Sequence, residues 1–244
     1  MKKIFSIAVV LLAGSFVCLP ASAQYAAGNR YDLALSAGSG QFASALSWSH
    51  LYGVGKKGNF QIGYGVRLTN YFGSEQKYIT APSKFTSTAQ GLGTLFSETI
   101  EANLDTVTFT KSQVNSLNAA VYLQYSLFNK KLDVGFNIDV IGFSIGQKQG
   151  GTYTNNGRNS AVSAKPTAFN LLLTSDNDIG SLNSEFYARY WLSDKWAVRA
   201  GYTFLFTEYK ADTQVQPVGN DTNDRFRNKS GMLMVGVTYA PARK

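Results

Sequence analysis

The sequence predicts an all-β fold, a closed antiparallel transmembrane β-barrel of eight strands, from three observations. Long segments alternate with period two, short and long connections sort to opposite ends, and the bulky apolar side chains share a face that a narrow barrel could not hold inside. The stretch GNFQIGYGVRLTNYF, residues 58–72, is the clearest case. Phe60, Ile62, Tyr64, Val66 and Leu68 fall on one face of a strand, and Gln61, Gly63, Gly65, Arg67 and Thr69 fall on the other.

The chain opens with Lys2 and Lys3, an apolar stretch from Ile4 to Val17, and Ala21-Ser22-Ala23, so residues 1–23 read as a cleaved secretory signal peptide and 24–244 as a single domain. Cleavage removes Cys18, the only cysteine of the chain, which excludes disulfides and thiolate metal sites from the mature protein. Two lysines leave with it, and the formal charge falls from +8 to +6. That excess is spread without a Lys/Arg block, which argues against nucleic acid as a partner. No later apolar run reaches the roughly 18 residues of a membrane helix, so a bilayer would be crossed by strands.

Eight strands follow from alternation and turn residues: 31–37, 42–52, 60–71, 114–127, 132–145, 182–192, 196–209 and 230–240. Most suffice to span at a tilt, which takes about 9 to 11 residues. Residues 53–58, 128–131 and 193–195 are tight turns, 39–40 is short, and loops run at about 72–113, 146–181 and 210–229. The three tight turns fall on the side of the chain ends, the arrangement of short periplasmic turns and long extracellular loops. Thr106-Val107-Thr108-Phe109-Thr110 also alternates, and an extra hairpin there would make ten strands.

The apolar face carries Phe42, Leu46 and Trp48, then Phe60, Ile62 and Tyr64, then Leu132, Val134, Phe136 and Ile138. The opposite face is small or polar: Ala43, Ala45, Ser47 and Ser49, Gly63 and Gly65, Ala120, Gly135, Ala197, Gly201 and Gly236. Eight strands enclose room for modest side chains only, so the bulk belongs outside, against lipid. Trp48, Tyr52, Tyr125, Tyr190, Trp191, Trp196 and Tyr239 then form an aromatic girdle beside the tight turns, and Tyr71, Phe72, Phe143, Phe206 and Tyr209 a second one at the loop ends.

By the same parity Asp32, Arg67, Asp133, Asp139, Glu185, Arg189 and Arg199 point inward. Arg189 and Arg199 stand about equally far from the 193–195 turn and should meet side by side, with Glu185 and Asp133 or Asp139 as their counter-ions. An ion-pair network filling the lumen is expected, with a narrow polar pathway for small solutes as the alternative.

This pattern resembles the small eight-stranded outer-membrane barrels of the OmpA transmembrane-domain and OmpX type, in the form of the Bacteroidetes outer-membrane β-barrel domain proteins, over essentially all of residues 24–244. The resemblance implies the bacterial cell outer membrane as the location, with its lipids, lipopolysaccharide and insertion machinery as partners. Such barrels usually finish on an aromatic residue, whereas here Tyr239 is followed by Ala240-Pro241-Ala242-Arg243-Lys244, so the insertion signal is internal or altered.

Little in the sequence speaks for catalysis or a cofactor. His50 is the only histidine and by parity faces lipid near the tight turns, with Ser47 and Ser49 on the opposite face. Asn220-Asp221-Thr222-Asn223-Asp224 offers oxygen ligands for Ca²⁺ but lacks the glycine and distal glutamate of an EF-hand loop. In residues 91–104, Leu92, Leu95, Phe96, Ile100 and Leu104 approximate helical spacing and form a candidate binding surface for an extracellular protein or host ligand. The expected function is therefore a non-enzymatic integral outer-membrane barrel, porin-like in form, acting in envelope structure or in adhesion and binding through its surface loops. The rivals are a narrow porin-like or hydrophobic-compound channel, a lipid-modifying enzyme, and an exported soluble barrel holding an apolar ligand.

Overall fold

Alternation along the chain becomes a continuous antiparallel sheet in the computed structural model, which describes residues 24–88, 98, 100–173, 177–213 and 215–241. The segment expected to be a signal peptide lies outside the described residues. The strands are β1 Gln24–Gly38, β2 Gln41–Val54, β3 Phe60–Thr80, β4 Thr106–Leu127, β5 Leu132–Ile145, β6 Gln149–Asn155, β7 Arg158–Pro166, β8 Phe169–Leu171, β9 Leu182–Trp191, β10 Trp196–Ala211, β11 Gln216–Val218, β12 Asp221–Asn223 and β13 Arg225–Tyr239. Among the described residues, eight of them close a ring in the order β1-β2-β3-β4-β5-β9-β10-β13. The first and last strands seal it, from Tyr31 opposite Tyr239 to Ala37 opposite Leu233. No strand edge is left along this ring, which is what a hydrocarbon environment demands of a sheet.

Parity sorts the side chains as the sequence predicts. Leu46, Phe143, Val235 and Leu233 stand outside, Leu233 exposed to 74 %, whereas Arg67, Asp139 and Arg189 lie inside, at most 1 % exposed. The turn end is built from local chemistry: positive φ at Gly55 and Gly58, a left-handed run at Phe128, Asn129 and Lys130, and the Ser193 hydroxyl accepting from the Lys195 and Trp196 amides.

Most of what reads as long loop continues as strand. Beyond Phe72, β3 runs on to Thr80 beside the outer half of β4, β6 and β7 form a hairpin between β4 and β10, and β13 pairs with β3 through Phe226 opposite Thr80. Among the described residues this makes a second closed ring of six strands, β3-β4-β6-β7-β10-β13, directly on top of the first. The expected extra hairpin at Thr106–Thr110 is instead the end of β4 itself, and the added strands come from 149–166. They replace the strands that stop lower down and do not widen the barrel to ten.

The reason this extension is hard to see in the sequence is that its polarity is inverted. Below, apolar residues face out; above, Tyr78, Val107, Phe109, Tyr209 and Phe226 face in and are buried, while Lys77, Thr108 and Lys210 take the outward positions. Along β10 and β13 the period runs on unchanged and the polar residues change sides, whereas in β3 and β4 the alternation slips by one residue, at Glu75 with its positive φ and at Thr110-Lys111 opposite it.

The inner face is not uniformly small. Tyr122 and Tyr187 are buried in the lumen, and glycines on facing strands make room for them: a Cβ on Gly135 would sit 2.5 Å from the Tyr187 ring, and one on Gly65 3.0 Å from Tyr122. Replacing Gly135 with valine is therefore expected to displace Tyr187 and destabilise the barrel by about 1–3 kcal/mol. Urea titration of the folded, heat-modifiable form by gel migration measures this, and an unshifted midpoint would count against close packing at that point.

Candidate functional site

The lumen holds a connected ion-pair lattice. Arg199 lies directly across from Arg189 on the neighbouring strand, the two strands being tied by the tight turn between them. Both guanidinium groups lie over the ring of Tyr187, Arg189 at 4.8 Å and Arg199 at 4.7 Å, so the two like charges share one π system. Asp32 takes Arg189 at 3.0 Å and Arg199 at 3.4 Å. Glu185 pairs with Arg199 and stands 3.2 Å from Arg67. Arg67 donates its Nε to Asp139 Oδ1 at 3.0 Å, and its remaining donors reach Asn137 and the Asn183 carbonyl. Asp139 is further held by Asn118 Nδ2 at 2.7 Å and the Asn183 amide at 2.9 Å. Asp133 lies nearer the turn end, 3.8 Å from Arg189, and accepts from Ser126 and Trp191.

Two members of this interior escape the sequence reading. Arg30 is buried, donates to Gln61 at 2.9 Å and stands 6.0 Å from the Trp191 ring. With it, Arg30, Arg67, Arg189 and Arg199 balance Asp32, Asp133, Asp139 and Glu185. Tyr187 shares the parity of Glu185 and Arg189, a signal that counting on by two residues picks up. Arg30 lies beyond the expected start of the first strand, and only the longer β1 puts it inside.

Trp191 requires a correction. It does not join the aromatic girdle: its indole N–H points into the lumen and donates to Asp133 at 2.7 Å. Tyr190 next to it takes the outward place, and two successive residues of one strand cannot both face lipid. Trp48, Tyr52, Tyr125, Trp196 and Tyr239 are on the outward face, with the Trp196 ring 4.9 Å from that of Tyr239 at a 46° tilt. At the loop end Phe72 and Phe143 face out, but Tyr71 and Tyr209 are core residues.

Above the ion pairs the six-stranded ring is filled by rings and aliphatic side chains. Phe109 lies 4.7 Å from Tyr209 and 5.1 Å from Tyr78, with Val107, Leu205, Phe226 and Met232 in the same cluster. The interior is thus closed twice, by paired charges and then by an apolar layer. On β6, Tyr153 donates to Asp105, which also accepts from Asn155 at 2.8 Å. Burial, and then the Asp105 carboxylate beside it, push the Tyr153 phenol up to about 12.

A second charged cluster lies on the outward face of the upper ring. Glu208 has the parity of Phe204 and Phe206, yet it is fully buried, bonded to Arg225 at 2.8 Å and to Arg227 at 2.9 Å. The segment following β8 covers it: the Gly180 amide donates to Glu208, and the Asp178 carbonyl accepts from both arginines. Read from the sequence, this stretch is loop, and the cluster leaves no sign there.

The remaining candidates are dispersed. His50 contacts Asn29 at 2.7 Å and the Tyr52 ring at 4.8 Å on the outward face at the turn end. Asp221 pairs with Lys84, Asp224 with Lys210, and Asn223 Oδ1 accepts from the Arg225 amide at 3.0 Å, so the acidic stretch spends its oxygens on separate partners. Leu92, Leu95 and Phe96 lie outside the described residues. Ile100 and Leu104 bracket a single 3₁₀ turn, Glu101–Asn103, whose approach is tied to α1, Ser83–Thr86, by the Ile100 amide.

Neither a protein-family model nor a curated protein sequence matches the chain. Among solved structures, it is similar to Neisserial surface protein A, with 12 % identity over 87 % of this chain and 94 % of that one and a TM-score of 0.36. A major outer membrane protein from Thermus thermophilus gives 13 % identity, 88 % and 100 % coverage and 0.39. Ail, the attachment invasion locus protein of Yersinia pestis, in complex with the heparin analogue sucrose octasulfate, gives 10 %, 88 %, 97 % and 0.31. At these values no role is carried across, and function must be argued from this chain's own geometry.

Two outcomes follow. Glu185→Gln leaves Arg67 and Arg199 short of a shared carboxylate and is expected to cost about 3–5 kcal/mol in urea unfolding. A loss near zero would mean that the carboxylate does not neutralise them. For Tyr153 the folded state favours the neutral phenol, so its contribution is complete below the ordinary phenol value of 10.0 and is lost as pH rises towards about 12. In Tyr153→Phe that part of the alkaline loss of stability should disappear, as read from unfolding midpoints between those pH values.

Proposed function

We propose that the protein is a non-enzymatic integral barrel of the bacterial outer membrane, exported by a cleaved signal peptide, that acts as a rigid, sealed platform for surface binding or envelope structure. The observation that carries this reading is the doubly closed interior within an apolar outer wall. A sealed lumen leaves transport without a route, and a wall of exposed Leu, Val and Phe has no place in water. The loop end, raised above the membrane on the six-stranded ring, is the surface left to meet a partner, an extracellular protein or host material.

Catalysis finds no support in the site chemistry. His50 meets Asn29 and aromatic rings, and no carboxylate orients it among the described contacts. His50→Ala is accordingly expected to leave the lipid A profile of expressing cells unchanged.

Reconstitution into planar bilayers tests the sealed platform. No steady openings are expected from protein that shows heat-modifiable gel migration. Stable conductance would overturn the sealed reading, and recovery from the periplasm without detergent would overturn the membrane reading.

A further inference from the structure

The outward face of β13 reads Arg225, Arg227, Lys229, Gly231, Leu233, Val235 and Val237, a run that passes from charge to bare hydrocarbon along one strand. Arg227 is the unusual member. It is 1 % exposed, and its Nη2 is held by Glu208 at 2.9 Å and by the Asp178 carbonyl. Among the described residues its Nε and Nη1 have no hydrogen-bond partner. The same side chain lines a cavity of about 80 Å³ together with Thr80, Thr86, Leu104 and Lys229. Here one carboxylate, Glu208, serves two guanidinium groups, Arg225 and Arg227. Lys77, exposed on the neighbouring strand, is the next outward residue after Ile79, which lies opposite Arg227, and its carbonyl accepts from Asn228.

Buried donors without partners cost free energy, and a cavity of this volume exceeds the roughly 30 Å³ share of a single water. The group that would satisfy a guanidinium edge and a neighbouring ammonium at once is a multi-oxygen anion, a phosphate above all.

Below this point the wall is hollowed. Ala188 and Ala200 lie opposite each other, Val235 lies next to Ala200, and with Leu33 and Leu35 they line an apolar groove of about 640 Å³. At about 3.4 Å per residue and a tilt of 35–45°, Val235 lies roughly 15 Å below Lys229, the middle of an apolar band about 25 Å tall. A charged cavity at the rim and an apolar groove under it, joined along one strand face, match one kind of molecule.

We propose that this wall binds a single phosphate-bearing anionic lipid, its headgroup phosphate seated between Arg227 and Lys229 and an acyl chain lying along β13 in the groove beside Ala200 and Val235. This deepens the membrane reading and rests on it for the lipid's place in the bilayer. Binding itself can be measured on the purified full-length mature chain in detergent.

Native mass spectrometry of that protein with dimyristoyl phosphatidic acid, dimyristoyl phosphatidylcholine or inorganic phosphate is the test. One phosphatidic acid is expected to be retained, about tenfold in preference to phosphatidylcholine. Because Arg227 also neutralises Glu208, the variants to use are Lys77→Gln with Lys229→Gln for the head and Ala200→Trp for the groove. Each should lower retention about tenfold while heat-modifiable migration persists. Equal retention of the two lipids, or retention unmoved by the variants, would overturn the proposal. Displacement of the lipid by equimolar inorganic phosphate would make a free anion the ligand, and a doubled mass without lipid would make a second copy the occupant; both also overturn it. Periplasmic recovery would sink the membrane reading while leaving lipid retention in detergent intact, so the two failures are separable.

Discussion

One constraint organises the whole molecule: the long strands pass from a ring with an apolar outer face into a ring with a polar outer face within one hydrogen-bonded sheet. Backbone groups cannot be left open in either part, so the sheet must close in both. What changes along the strand is which face can be wet. In the lower ring the outer positions are Leu, Val and Phe and the inner ones Arg, Asp and Glu; in the upper ring the outer positions are Lys and Thr and the inner ones Tyr, Phe and Val.

That switch explains why the two cores differ. Where the apolar side chains stand outside, the narrow axis is left to polar ones, and charges so placed must find counter-ions at once. Arg67, Arg189 and Arg199 each touch more than one acceptor, and Asp139 is held by an arginine, an asparagine and an amide. Where water takes the outside, the interior returns to the aromatic and aliphatic packing of a soluble protein, around Phe109 and Tyr209. The six-stranded upper ring has fewer strands than the eight-stranded lower one, and among the described residues these large rings are buried within it. The boundary is also where one carboxylate is shared: Glu208 serves both Arg225 and Arg227 on the outward face, with Lys229 and Gly231 separating them from exposed Leu233 and Val235.

Much of this is legible from the residues. Period two, tight turns such as 193–195 and the side of the sheet carrying the bulk lead to the eight-stranded ring, and the same parity puts Arg189 beside Arg199. Trp191 misleads because its size and place near a turn speak for lipid, while its neighbour Tyr190 already holds that side. Arg30 is hidden by a strand that begins earlier than its apolar pattern. Glu208 with Arg225 and Arg227 is invisible because a segment far along the chain, Asp178 to Ser181, is what buries it.

By itself, then, the sequence determined the alternation, the face that carries the apolar bulk outward and the closed ring, because those depend on local alternation and on where turn residues sit. Tertiary structure alone decided that the loops rise as a narrower second ring, that the lumen balances charge through Arg30, and that, among the described residues, Arg227 keeps two donors without hydrogen-bond partners beside a cavity. Those features are made by contacts between strands distant in the chain, and such contacts leave no period in the sequence to read.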